Sequence, residues 1–211
     1  MPLSKVKTNS IATGNITSAL IASIANTQIT GNIISSQITS NPTLYGNVSV
    51  TGVIAVGGAT PSTSGSGITF PATTSISTNA NTLDDYEEGT FTPTVTASSG
   101  SVTYGAQEGR YTKVGQVVTC TFWVQTTGST LSGASVLMNG LPFAQAFSSR
   151  PSPSIRPAGF ASGTNVIGGW VPGGTTYIQI AKYSSGTTAD VAGSDIPGGF
   201  EYGGTVVYQT T

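Results

Sequence analysis

Apolar and polar residues alternate most regularly in the second half of the chain. In VVTCTFWV (117–124), the even-numbered positions Val118, Cys120, Phe122 and Val124 share one face, and Trp123 lies on the other. This period of two is typical of a β-strand with one buried side. The segments TYIQIAKY (176–183) and GTVVYQT (204–210) are also predicted to be strands.

Turn-forming residues separate these segments. Gly, Pro and Ser are concentrated in four stretches, at 128–133, 148–157, 168–174 and 193–199. Several short strands with turns at this spacing predict an all-β domain, a β-sandwich or jelly roll. Residues 84–211 are enough for one core of this kind.

Isoleucine recurs near the amino end of the chain, with spacings of 5, 3, 5, 4 and 5 residues. The positions are Ile16, Ile21, Ile24, Ile29, Ile33 and Ile38. At about 100° per residue, a helix would scatter them around its whole circumference. Short strand pieces joined by Gly-Asn or Ser/Asn turns are therefore predicted.

A repeat unit this short buries little apolar surface within one chain. Stacked repeats become stable by burying their apolar faces against neighbours. The repeat therefore predicts an intertwined stalk, in which three chains place the six isoleucines inside and their Ser, Thr and Asn residues outside. A single-chain β-solenoid and a disordered segment 1–43 are the alternatives.

The middle of the chain alternates in the manner of a strand. Leu44, Val48, Val50, Ile54 and Val56 share one parity, which predicts a half-buried strand or a pair of strands bent at position 52. Residues 57–67 are predicted to be a linker. The predicted organisation is a stalk segment at 1–43, a β stem and linker at 44–83, and a sandwich head at 84–211.

The chain contains unusually few charged residues. Charged residues make up 7% of the chain, against about 25% in a typical soluble domain. The net charge is −1 without a basic cluster, so nucleic-acid binding is not expected. Because no run of about 18 apolar residues occurs, a membrane span is not expected either.

Candidate chemistry is limited by the residue types present. The chain has no His, and Cys120 is its only cysteine. A His-based triad, an intrachain disulfide and a thiol zinc site are therefore excluded. We expect no cofactor and no enzymatic activity.

The strongest cluster of charge is Asp84, Asp85, Glu87 and Glu88. Carboxylates of this kind could ligate calcium or form a pair for glycosidic cleavage. Four nearly consecutive acids do not match the spaced loop that dedicated calcium ligation uses. We interpret them as a solvated collar where stalk meets head, which also discourages edge pairing of the following strand.

Aromatic residues are the better candidates for binding. Trp170, Tyr177 and Tyr183 supply flat, amphipathic faces suited to surface glycans or proteins. Trp170 lies in IGGWVPGG (167–174), which is predicted to be a Gly-rich loop on the β scaffold. Packing in the core or at a trimer interface is the alternative, and it is favoured for Tyr208 inside its predicted strand.

Four motifs carry a resemblance to a known family. They are GSGITFPAT (65–73), NTLDDYEEGTFTPTV (81–95), GRYTKVGQVV (109–118) and GLPF (140–143). Together they resemble the C-terminal module of bacteriophage tail-fibre and related virion proteins, over about residues 65–211. The upstream GNVSVTGVIAVGG (46–58) resembles the strand repeats that precede trimeric fibre heads.

The resemblance implies a structural protein of the virion. It implies a homotrimer that attaches to another virion protein by its N-terminus and projects a β-rich tip for host or surface binding, as a tail fibre does. Typical tail fibres are much longer than 211 residues, so a capsid-bound head fibre or a decoration (cement) protein is the alternative. A glycan-degrading tailspike is the minor alternative.

Overall fold

The structure, a computed structural model, describes residue 50 and residues 52–73, 77–79 and 81–211. All of them belong to the second of two units into which the chain divides, Val50–Thr211. The six isoleucines predicted to form the stalk core lie outside the described residues, as does the whole of segment 1–43. Within the described part of the chain, no helix is long and apolar enough to cross a membrane.

A long hairpin is the centre of the fold. Its strands, β5 (Val102–Val114) and β6 (Val117–Ser129), pair antiparallel, with Val114 opposite Val117. Gly115, with φ 55°, opens the two-residue turn between them, as a type II′ turn requires. The strand predicted at 117–124 is confirmed and continues to Ser129.

The hairpin forms part of a five-stranded antiparallel sheet, called the larger sheet here, together with β3 (Tyr86–Phe91), β8 (Ser154–Ala158) and β12 (Glu201–Gln209). The order of its strands is β3-β5-β6-β12-β8. β3 and β8 are the edges. Pro157 lies in edge strand β8, where a missing N–H group is tolerated.

Five further strands make the smaller sheet: β4 (Thr94–Thr96), β7 (Leu137–Asn139), β9 (Asn165–Trp170), β10 (Tyr177–Ser184) and β11 (Thr187–Asp190). In this sheet β10 pairs with β7, β9 and β11, and β4 pairs with β7. Every pairing in this sheet is antiparallel as well.

The two sheets share one apolar core, which makes the all-β head a sandwich as predicted. From β6, the inward side chains are those that the alternation placed together, Val118, Cys120, Phe122 and Val124. The smaller sheet contributes residues that are fully buried, Met138, Ile178 and Ile180. Because inward and outward residues alternate along each strand, the core fixes which side chains lie on the outer faces.

Ahead of the sandwich, β1 (Val53–Ala55) and β2 (Gly67–Thr69) form a short parallel pair. The strand predicted around Ile54 is thus confirmed over three residues, and the predicted linker joins the two paired strands. The earlier positions of that predicted strand, residues 44–49, lie outside the described residues.

Three predicted turns are partly wrong. The stretches 128–133, 148–157 and 168–174 overlap strands β6, β8 and β9. In β9 the reason is a close approach of two strands, because a Cβ atom on Gly169 would lie 2.4 Å from the carbonyl oxygen of Gln179. Glycine at this position therefore serves pairing with β10 and not a change of chain direction.

Candidate ligand-binding surface

The three residues predicted to contact a ligand lie on strands β9 and β10 of the smaller sheet. Tyr177 and Gln179 alternate with the buried Ile178 and Ile180, so they face outward. Gln179 pairs directly with Trp170, and paired residues of antiparallel strands share one face. The fold therefore brings Trp170 and Tyr177 together on the outer face of this sheet.

Trp170 is the last residue of β9, so the prediction that it lies in a Gly-rich loop is wrong. The guanidinium carbon of Arg150 lies 5.7 Å from the centroid of its ring, within cation–π range. The segment carrying Arg150 is held beside β9, because the Val171 N–H donates to the carbonyl of Pro151 at 3.0 Å. Trp170 is half-buried and keeps an open part beside a cation.

Two amide side chains lie beside these aromatic rings. Asn139 pairs with Tyr177 across the β7–β10 ladder, and its Nδ2 donates to Thr96 Oγ1 at 2.9 Å. Gln179 lies next to Trp170, and within the described residues its buried Nε2 has no hydrogen-bond partner. Aromatic rings next to amides are the groups that contact the apolar faces and hydroxyls of sugars.

Tyr183 is separate from this cluster. It lies four residues beyond Gln179 along β10, which is about 13 Å at the rise of a strand. Its side chain is 51% exposed, and it pairs with Asn165 and Thr188. The structure thus leaves Tyr183 accessible but does not bring it to Trp170.

Tyr202 and Tyr208 belong to the core. Tyr202 is fully buried and its hydroxyl donates to the carbonyl of Gly168 at 3.0 Å. Tyr208 is 2% exposed, so the core placement favoured from the sequence is confirmed. Burial raises the pKa of both phenols well above the usual value, and both stay neutral hydrogen-bonding groups.

The four acids near the start of the head do not act as one group. Asp85 is buried in an ion pair with Lys113, so the description of the cluster as a solvated collar is wrong for this residue. The other three are placed as single hydrogen-bond acceptors: Asp84 for the Ser77 N–H at 2.7 Å, Glu87 for the Tyr111 hydroxyl and Glu88 for the Tyr86 hydroxyl at 2.9 Å.

These separate partners explain the electrostatics at the edge strand β3. The hydrogen bond that Tyr111 makes to Glu87 is the main cause that raises the pKa of Tyr111 to about 12, and burial is the second cause. Glu87 and Glu88 lie on an edge of the larger sheet, where charge discourages pairing with another strand. Among the described residues, no three His, Cys, Asp or Glu side chains are grouped so that they could hold a metal ion.

Trp123 is an exposed aromatic residue that the sequence did not single out as a contact. It lies on the outer face of the larger sheet and is 37% exposed. Its neighbours along β6 on this face, Thr119 and Thr121, are exposed polar residues. The sequence did contain a signal for Trp123 as a contact residue, because it occupies one of the alternate strand positions that are otherwise polar. Such positions normally face water.

Comparisons with known proteins include a weak likeness to a solved structure. No protein-family model matches this chain, and no curated protein is significantly similar to it. The crystal structure of the Dettilon tailspike protein (gp208) aligns with a TM-score of 0.45 and 18% identity, over 57% of this chain and 23% of that chain. The present chain thus spans about a quarter of that protein, and neither fold nor function is inferred from this likeness.

Proposed function

We propose that the chain is a non-enzymatic structural protein of a bacteriophage particle. It forms a short homotrimeric fibre that attaches to another virion protein by its N-terminus and projects the sandwich as a tip for host or surface glycans. The observation that carries this proposal is the set of four motifs, between residues 65 and 143, that resembles the C-terminal module of phage tail-fibre proteins.

The way in which three of these motifs meet in space supports the proposal. Asp85, from NTLDDYEEGTFTPTV, pairs with Lys113, from GRYTKVGQVV. Phe143, from GLPF, lies under the Lys113 ammonium group at 5.6 Å and contacts the Tyr111 ring edge-on at 5.4 Å. The motif residues form one packed cluster, as expected for a module that is retained as a unit.

Binding without catalysis is supported by the placement of polar groups. The acids at 84–88 have separate partners, on β5 or close by in the chain. The outer face of the smaller sheet instead presents the aromatic rings of Trp170 and Tyr177. A reducing-end assay on host polysaccharide tests this part of the proposal, and turnover that Asp84→Asn abolishes would contradict it.

The trimer is tested on the full chain in solution. We expect sedimentation to give about three times the chain mass of 21.2 kDa. Replacing Ile24, Ile29 and Ile33 with Ser removes the apolar stripe of the predicted stalk, and we expect this variant to sediment as a monomer. A parent protein that is monomeric would contradict the trimer, and an unchanged mass in the variant would move the subunit contact into the head.

The position on the particle is tested by copy number. Quantitative mass spectrometry of purified particles should find a small multiple of three copies if the protein is a tail fibre. Hundreds of copies would favour the alternative, a capsid-bound head fibre or decoration protein. Absence from purified particles would refute the virion assignment.

A further inference from the structure

The outer face of the larger sheet contains a gap between two flat side chains. Trp123 on β6, Gly203 on β12 and Arg156 on β8 are directly paired in register. Residues paired in this way share one face of the sheet. Gly203 has no side chain, so its backbone is open between the indole of Trp123 and the guanidinium of Arg156. The surface is depressed between these two side chains.

The width of the gap suits one flat ring. Strands β6 and β8 lie on either side of β12, so their axes are about 10 Å apart. A ring in contact with a flat group on each side needs about 7–8 Å, at about 3.5–4.0 Å for each contact. The indole leans over Gly203, because a Cβ atom on Gly203 would lie 3.2 Å from Trp123 Cδ1, closer than ordinary van der Waals contact. The open part of the gap therefore lies between the indole and Arg156.

Arg156 is held in place beside the gap by a chain of hydrogen bonds. Its Nη1 donates to Glu201 Oε2 at 2.5 Å, and Gln125 Nε2 donates to Glu201 Oε1 at 3.1 Å. The Arg156 side chain is 75% exposed, so other N–H groups of its five-donor fork face solvent. Exposed hydroxyls follow in the next row, where Thr205 pairs with Ser154.

Charge around Trp123 is balanced. Arg156 is neutralised by Glu201. On the opposite side of the indole, a second depression is bordered by Glu108 and Arg110. Two cations and two anions around one aromatic ring carry no net charge, so they supply no long-range attraction for a charged ligand. The site is therefore complementary to a ligand that is uncharged, has an apolar ring face and carries hydroxyls at its rim.

We propose that the gap between Trp123 and Arg156 binds an uncharged hexopyranose unit of a surface glycan. The pyranose stacks on the indole, its hydroxyls accept from Arg156, and the backbone of Gly203 forms the floor. This inference rests on the proposed glycan-binding function and assigns it to the larger sheet, which is the face opposite to Trp170.

The two tryptophans of the chain allow a direct test. In full-length Trp170→Phe, the only indole is Trp123. Its fluorescence is followed while oligosaccharides of glucose, galactose and mannose, or the corresponding uronic acid oligomers, are added in solution. We expect a saturable change with at least one neutral oligosaccharide. Gly203→Val in the same background fills the gap and should weaken binding at least tenfold.

A matched control is Val207→Thr in the same background, because Val207 is exposed on the same strand and face but outside the gap. It should bind as the parent does. Circular dichroism and the melting temperature of each variant show whether it is folded. If Gly203→Val is unfolded, Arg156→Gln is used, with an expected loss of at least fivefold.

The remaining outcomes overturn the inference in distinguishable ways. Binding reported by Trp123→Phe but not by Trp170→Phe would place the glycan on the smaller sheet and leave the proposed function intact. Tighter binding of uronic acid oligomers would refute the argument from balanced charge. A lower mass of Trp123→Ala in sedimentation, without sugar binding in the parent, would make this face a subunit contact. Absence of binding in both tryptophan variants would overturn the glycan-binding part of the proposed function as well, while copy number would still test the virion assignment.

Discussion

Lys113 and Asp85 form an ion pair inside the sandwich, where their side chains are 7% and 6% exposed. The Lys113 ammonium group also lies over the ring of Phe143. Removal of one partner from a buried pair leaves an uncompensated charge, whereas replacement of both by apolar groups is often neutral. The intact pair therefore contributes little net stability, but removal of one partner should be strongly destabilising.

We expect Lys113→Met to lower the free energy of unfolding by about 3–5 kcal/mol. The double variant Lys113→Met/Asp85→Leu should recover a substantial part of that loss, because no charge stays buried. Urea unfolding of the parent, both single variants and the double variant measures the coupling. Glu88→Gln on the exposed edge is the control, with a change within about 0.5 kcal/mol. Additive single effects would contradict the coupling.

Cys120 should be unreactive in the native protein. Its side chain is fully buried between the sheets, and burial raises the pKa of the thiol to about 12, against a smaller opposing effect of its hydrogen bond to Tyr208. Since the thiolate is the nucleophile, we expect no alkylation by iodoacetamide at about pH 8 and complete alkylation in urea, measured by mass spectrometry. Equal rates in the two conditions would show that the core is open.

Asp195 should make the head sensitive to acid. Burial raises the pKa of this carboxyl, but hydrogen bonds from the Lys182 ammonium at 2.5 Å and the Ala192 N–H at 2.7 Å outweigh burial and lower it. A carboxyl with a lowered folded pKa contributes stability above its unfolded pKa, and the contribution is lost as pH falls through the folded value.

We therefore expect the parent to lose more stability than Asp195→Asn as the pH falls below about 4, the ordinary pKa of an aspartate. At pH 7 the variant should be the less stable protein, because Lys182 has lost its partner. Melting temperatures of both proteins across this range test the prediction. Parallel curves below pH 4 would mean that other carboxyls dominate the acid response.

Gly204 should be intolerant of any side chain. A Cβ atom at this position would lie 2.1 Å from the carbonyl oxygen of Ser154 on β8. Gly204→Ala must therefore displace the edge strand, and we expect a loss of about 1–3 kcal/mol. Gly198→Ala is the matched control, because nothing lies within 4 Å of its Cβ position. Denaturant unfolding compares the two, and equal stability would contradict the strand contact.

The sequence predicted those parts of the fold in which burial is periodic. Strand β6 was predicted correctly because Val118, Cys120 and Phe122 alternate with polar residues, and the core of the sandwich requires that alternation. Strand β10 of the smaller sheet and strand β12, an interior strand of the larger sheet, were predicted for the same reason. Their boundaries moved by one to three residues, since ladder partners and not local pattern decide where pairing stops.

Strands β8 and β9, in which proline or paired glycines interrupt the alternation, were not predictable in this way. β9 contains Gly168 and Gly169, which local rules interpret as a turn, but the second glycine is required by the approach of β10. β8 contains Pro157, which is tolerated only because the strand is an edge. The gap at Gly203 depends on the pairing of this residue with Trp123 and Arg156. These residues lie far apart in the sequence, so the sequence pattern does not show that they are paired.

The position of β12 has a consequence for the order in which the head can be built. β12 follows every other strand in the chain but lies between β6 and β8, with 76 residues separating Gln125 from its partner Glu201. During synthesis, the edges of β6 and β8 that will pair with β12 therefore stay unpaired until β12 has emerged. Long-range closure of this kind is slow and leaves unpaired edges available to other nascent copies. Protein production at low temperature or with a chaperone should raise the yield of native heads more than any change to the core.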